Sequence, residues 1–125
     1  MIHGIGTDIV AVARIRAALE RHGERFARRI LGEDERAEYA ASRDGARFLA
    51  KRFAAKEAFG KALGCGVSPP ATLHAVMVGH DAAGRPVYRY DARLADHMAG
   101  RGLSAHLSLS DEQEYVVAFA LIEHL

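Results

Sequence analysis

The spacing of apolar residues changes period several times along the chain, and each change marks an element. Ile2, Ile5, Ile9 and Val10, with Gly4 and Gly6 leaving room for close backbone approach, predict a short buried strand from Ile2 to Val10. From Ala11 to His22 the spacing turns helical: Val12, Ile15 and Leu19 share one face, and Arg14, Arg21 and Arg25 occupy another. Gly23 is placed to end that helix, and Phe26, Ile30 and Leu31 continue as a short helical piece. Gly32-Glu33-Asp34-Glu35 reads as a further helix start, its acids complementing the helix dipole, with an end near Ala41. Ser42 is expected to cap the longest helix, Ser42 to Leu63, which Gly64 stops. Gly66, Ser68, Pro69 and Pro70 form a loop.

The second half reads mostly as strands. Leu73–Val78 and Pro86–Tyr90 flank the turn Asp81–Gly84 as a hairpin, and Asp91 caps a helix that ends near Gly100. Ala105–Ser110 alternates as a half-buried strand should. After the turn Asp111–Glu114, Tyr115–Ile122 is a continuous apolar run, long enough for a fully buried strand. The pattern is α+β with antiparallel hairpins, and 125 residues leave no room for a second core.

Composition removes several function classes. Without Trp, and with aromatics at 7%, stacking platforms for single-stranded nucleic acid are poorly supplied. Cys65 is the only cysteine, which excludes an intrachain disulfide or a cysteine zinc cage and points to a reducing compartment. Asp8 interrupts the apolar start too early for a signal peptide. The longest stretch without charged residues, Ala62–His80, is broken by Gly64, Gly66, Pro69 and Pro70. A soluble, cytoplasmic chain without a membrane span is expected.

The net charge of +1 hides an asymmetry. Ile9–Leu31 and Arg43–Lys61 each carry six basic against two acidic residues, so the remainder of the chain is acidic. Single arginines read as solvated helix faces, but two such stretches together suit an anionic partner: a phosphate ligand, a nucleic acid or an acidic protein.

Two acids stand out. Asp8 ends an apolar, glycine-rich strand, where a carboxylate sits in an exposed turn or is held rigidly for a metal or a proton. Glu57 shares its helix face with Ala50, Phe53, Ala54, Gly60, Lys61 and Gly64, a clearing of small residues that a bulky group could occupy. Glu57 and Lys61 have the spacing of a surface ion pair worth well under ~1 kcal/mol. Arg52, Lys56 and Lys61 surround this one carboxylate, a composition that suits Mg²⁺ and a polyphosphate together. A nucleic-acid-binding module would account for the arginines but not for Asp8 or Glu57, and a Mg²⁺-dependent enzyme of another kind would account for both acids.

Gly4-Ile5-Gly6-Thr7-Asp8-Ile9-Val10, together with Phe53-Ala54-Ala55-Lys56-Glu57-Ala58-Phe59-Gly60-Lys61-Ala62-Leu63-Gly64, closely resembles the holo-[acyl-carrier-protein] synthase family, the small bacterial 4′-phosphopantetheinyl transferases. The similarity spans essentially the whole chain, including Ser108-Leu109-Ser110 and the apolar last strand. It implies one domain over residues 1–125, an antiparallel sheet packed with a long central helix, and a trimer with active sites at subunit boundaries. It implies transfer of 4′-phosphopantetheine from coenzyme A to a serine of apo acyl carrier protein, releasing adenosine 3′,5′-bisphosphate, in support of fatty acid biosynthesis and without a nucleic acid or membrane partner. Asp8 and Glu57 match the Mg²⁺ positions, and Lys61 matches a phosphate contact with a catalytic role. Arg52 and Lys56 are expected to bind the remaining coenzyme A phosphates, and Arg14, Arg21, Arg25 and Arg28 to dock the acidic carrier protein. Glu57 is the candidate base, directly or through a metal-bound water. One position departs from the family: Asp111 stands where a histidine is usual, and an aspartate cannot be cationic towards phosphate. His106 lies on the opposite face of that strand and is a poor substitute.

Overall fold

Ten helices and strands follow one another in the computed structural model, which describes residues 1–125. Their order is β1 (Ile2–Ala11), α1 (Val12–His22), α2 (Glu24–Ile30), α3 (Arg36–Ala41), α4 (Gly45–Leu63), β2 (Val76–His80), β3 (Pro86–Tyr90), α5 (Ala92–Gly100), β4 (Leu103–Asp111) and β5 (Tyr115–His124). A single 3-10 turn, Glu33–Glu35, leads into α3. β5 runs antiparallel between β1 and β4, and β2 and β3 form a separate antiparallel hairpin. The expected α+β architecture is present, with α4 laid along one face of the three-stranded sheet.

The core lies between α4 and that face. Leu49, Ala54, Ala58, Phe59 and Ala62 of α4 share it with Val116, Ala118, Ala120 and Ile122 of β5. The hairpin closes one end: Tyr88 and Tyr90 pack on Phe59 at ring-centroid distances of 4.9 and 5.7 Å, and the Tyr88 hydroxyl donates to the Ala55 carbonyl at 2.6 Å.

The two long apolar strands sit differently from expectation. In β1 the small residues face inward, because Gly4 and Gly6 lie against the α4 backbone. A Cβ on Gly6 would come within 2.8 Å of both Ala62 N and Lys61 Cβ, and closer still to the Ala58 carbonyl oxygen. A helix this near leaves no space for branched side chains, so alternation sends Ile5 and Ile9 outward, and a register shift between Ile2 and Gly4 leaves Ile2 outside as well. Ile2, Ile5 and Ile9 are 60%, 58% and 63% exposed rather than buried. β5 is likewise buried on one face only, with Tyr115, Val117 and Phe119 exposed. Ile9 pairs with Val117, and Ile5 with Leu121, so the outer face of β1 and β5 is a continuous apolar surface.

Shorter-range expectations fare better. α1 stops at Gly23 (φ 60°), α4 at Gly64 (φ 102°), and Asp91 caps α5 by accepting from Leu94 N at 2.9 Å. Two element starts shift by three residues. Asp44, not Ser42, caps α4, accepting from Arg47 N at 3.2 Å, while the Ser42 hydroxyl bonds back to the Tyr39 carbonyl. β2 begins at Val76 instead of Leu73, because Thr72 closes a turn on the amides of Ala75 and Val76.

Candidate active site

Alternation places Asp8 on the same inward face of β1 as Gly4 and Gly6, so the glycine contact that seats β1 on α4 also turns Asp8 towards Glu57. The two carboxylates line one cavity of about 410 Å³ between β1, α1, α2 and α4. Its apolar walls are Ile9 and Val10 of β1, Ile15 and Ala18 of α1, Phe26 of α2 and Phe53 of α4, and Arg14 completes the lining. These walls make the surroundings of the two acids largely apolar.

The Glu57 carboxyl is pushed above the usual carboxylate range, first by burial and then by the negative charge of Asp8, with Lys61 offsetting part of the rise. Lys61 does not form the expected pair with Glu57. Its Nζ crosses to β1, donating to the Thr7 carbonyl at 2.8 Å and lying 3.4 Å from Asp8 Oδ1. No third His, Cys, Asp or Glu joins the two acids into a protein-only metal cage. Two hard oxygen donors whose like charge Lys61 offsets only in part suit Mg²⁺, an ion that keeps waters and shares its coordination with phosphates.

Two of the expected phosphate contacts are corrected. Arg52 and Lys56 are 3% and 1% exposed and point away from the cavity. Lys56 Nζ donates to Glu35 Oε1 at 2.5 Å and to the carbonyls of Ile30 and Leu73 at 2.6 and 2.8 Å. Burial pushes its ammonium below the usual lysine range against the pull of Glu35. Arg52 reaches Glu35 at 3.2 Å and Glu38 at 2.8 Å, over the ring of Phe48. Lys56 has no donor left for a phosphate, and the buried Arg52 guanidinium is turned towards Glu35 and Glu38 rather than the cavity. The clearing beside Glu57 is corrected as well: a Cβ on Gly60 would lie 2.5 Å from the Gly66 carbonyl oxygen, so the missing side chain makes room for the following loop.

Arg14, Arg21, Arg25 and Arg28 are all exposed. The break at Gly23 divides them between two helices, so they do not form one helical row. Arg14 stands at the cavity, Arg25 beside Phe26 and Arg29, and Arg28 beside Arg36. Asp111 accepts from Arg47 and, at 2.8 Å, from Lys51, while Arg47 also donates to the carbonyls of Glu112 and Gln113 at 2.6 Å. Burial resists ionisation of Asp111, yet Lys51 and Arg47 outweigh it and hold the carboxyl below its usual range. The residue ties the β4–β5 turn to α4. His106 pairs with Glu123 at 2.6 Å and has no place in the cavity.

Sequence reasoning missed the apolar wall and Glu35. Phe26 carries no signal beyond ordinary core spacing, whereas Phe53 shares the helix face of Glu57 in the sequence itself. Glu35 could have been found: it stands three residues after Gly32, whose amide it accepts at 2.9 Å, and α4 supplies cations in need of a partner.

Comparisons with known proteins point to one family. The family described as the 4′-phosphopantetheinyl transferase superfamily matches residues 4–120. A holo-[acyl-carrier-protein] synthase of Azoarcus sp. (strain BH72) is 72% identical over 123 residues, 98% of each chain. The crystal structure of a holo-[acyl-carrier-protein] synthase from Neisseria meningitidis is similar with a TM-score of 0.94 at 42% identity, covering 98% of this chain and 99% of that one. One from Bacillus anthracis, in complex with CoA (3′,5′-ADP), has a TM-score of 0.84 at 33% identity and covers 100% of this chain and 99% of its own.

Proposed function

The chain belongs to the holo-[acyl-carrier-protein] synthase family of 4′-phosphopantetheinyl transferases, and we propose on that footing that it moves 4′-phosphopantetheine from coenzyme A to a serine of apo acyl carrier protein. The observation that carries the reading is the shared cavity of Asp8 and Glu57, with Lys61 alongside. The serine oxygen forms a bond to the β-phosphorus, the bond to the bridging oxygen breaks, and adenosine 3′,5′-bisphosphate leaves. Asp8 and Glu57 would hold Mg²⁺, which when bound neutralises charge on the diphosphate. Lys61, whose side chain is half exposed, offers its remaining N–H to a phosphate oxygen. The Glu57 carboxylate accepts the proton of the serine hydroxyl, directly or through a water. Ile15, Phe26 and Phe53 keep the surroundings of the acids largely apolar.

The proposal extends to assembly and context. The apolar outer face of β1 and β5 is covered by neighbouring copies in a trimer, because leaving Ile5, Ile9, Val117 and Phe119 in water is unfavourable. The loaded carrier serves fatty acid biosynthesis in the cytoplasm. No helix is long and apolar enough to cross a membrane.

The test is mass spectrometry of apo acyl carrier protein incubated with coenzyme A and MgCl₂. A gain of ~340 Da, one phosphopantetheine group, is expected, and it should vanish with EDTA or with Asp8→Asn or Glu57→Gln. A wild-type chain that adds no mass overturns the proposal.

A further inference from the structure

Lys56 immediately precedes Glu57 yet takes no part in the cavity. Its three N–H bonds are committed to three separate segments: Ile30, the last residue of α2; Glu35 in the 3-10 turn; and Leu73, beyond α4. The Glu35 carboxylate is equally engaged. Oε1 accepts from Gly32 N at 2.9 Å as well as from Lys56, and Oε2 accepts from Val78 N at 3.1 Å and lies 3.2 Å from Arg52 Nε. Both residues are at most 2% exposed. Burying an ion pair in this way adds little stability over an apolar pair of the same size, because desolvation opposes the attraction. What the pair supplies is direction, since each donor and each lone pair specifies where one backbone segment must lie.

We propose that Glu35 and Lys56 are positioning residues that hold α2 at its distance from Glu57. α2 carries Phe26 in the cavity wall and Arg25 and Arg28 on its exposed side, and its last carbonyl is bound by the lysine next to Glu57. Through α2 the pair places the carrier-protein docking surface relative to the reacting carboxylate. This rests on the transferase reading above.

The test uses the full chain with Lys56→Met and Glu35→Gln. Gln is not conservative here, because its amide nitrogen would face N–H donors whichever way it turns. At temperatures well below each variant's melting point, KM for apo acyl carrier protein should rise about tenfold while kcat stays within about threefold, the effect of one lost charge-assisted hydrogen bond on docking. Backbone hydrogen exchange should quicken in α2 and residues 65–75 while β5 keeps its protection. If these variants fail to fold, Glu35→Asp keeps the charge while shortening the reach, and it should show the same changes in smaller degree. An unchanged KM for carrier protein, or exchange that quickens evenly through β5 and α4, overturns the proposal and leaves the pair a packing element. Failure of the transferase reading is distinct: the wild type would load no carrier, while exchange in α2 would still decide whether the pair positions that helix.

Discussion

Gly6→Ala adds one methyl group at the contact that joins the two halves of the site. The new Cβ would stand 2.8 Å from Ala62 N and from Lys61 Cβ, with the Ala58 carbonyl nearer still. Carbon contacts relax at about 3.5–4.0 Å, so β1 must retreat from α4 by about 1 Å. Two of the three obstructing atoms belong to helix backbone and cannot rotate away, so the cost belongs at the upper end of the overpacking range, about 3 kcal/mol. For a chain of this length that lowers Tm by roughly 10 °C. Function should suffer separately, because Asp8 lies two residues further along β1 and moves with it. A displacement of this size at a reacting centre is worth about a hundredfold in rate. Gly100→Ala is the matched control: no atom lies within 4 Å of its Cβ, and replacing a helical glycine should raise stability by about 0.5 kcal/mol. Thermal melts and carrier-loading rates of both variants, measured below their melting points, are the assay. A Gly6→Ala protein melting within about 2 °C of the parent would refute the packing argument. One that melts early yet loads carrier at the parental rate would refute the link between the glycine contact and the site.

Three further outcomes are expected. Asp44→Ala should cost about 1 kcal/mol at neutral pH by uncapping α4. The Arg47 amide, then Arg16, holds the folded-state carboxyl below its unfolded value, so the contribution is present above the ordinary aspartate range and fades as pH falls through the folded value; denaturant melts of the two proteins should converge in strong acid. Phe119→Glu, on the outer face of β5, should reduce the mass seen by light scattering from trimer to monomer, and an unchanged trimer would place the interface elsewhere. Arg14→Glu and Arg21→Glu should raise KM for carrier protein and flatten the salt dependence of kcat/KM, whereas Lys61→Met should raise KM for coenzyme A; equal rises for both substrates would contradict this division.

Much of this protein was legible along the chain. The glycines after α1 and α4, the Asp91 cap, the hairpin turn and the alternation of β4 all depend on interactions within a few residues, which a sequence displays directly. Asp8 and Glu57 stood out because each broke a local pattern, and their resemblance to a known motif pair led to one family.

Tertiary structure decided which face of each element turns inward. Period-two spacing says that the residues of β1 alternate, but only the α4 backbone selects Gly4, Gly6 and Asp8 for the inside and leaves Ile5 and Ile9 outside. The same limit applies to charge. On a wheel, Arg52, Lys56 and Lys61 surround Glu57 as equals, yet α4 is covered on nearly every side and each cation takes the acceptor nearest its own tip. Lys56 finds a carboxylate 21 residues away and is lost to the core, while Lys61 finds β1 and stays at the site. A sequence carries spacing but not the distance between remote residues. Where burial makes a charge depend on a distant partner, only the folded chain determines whether that charge holds the fold together or meets a substrate.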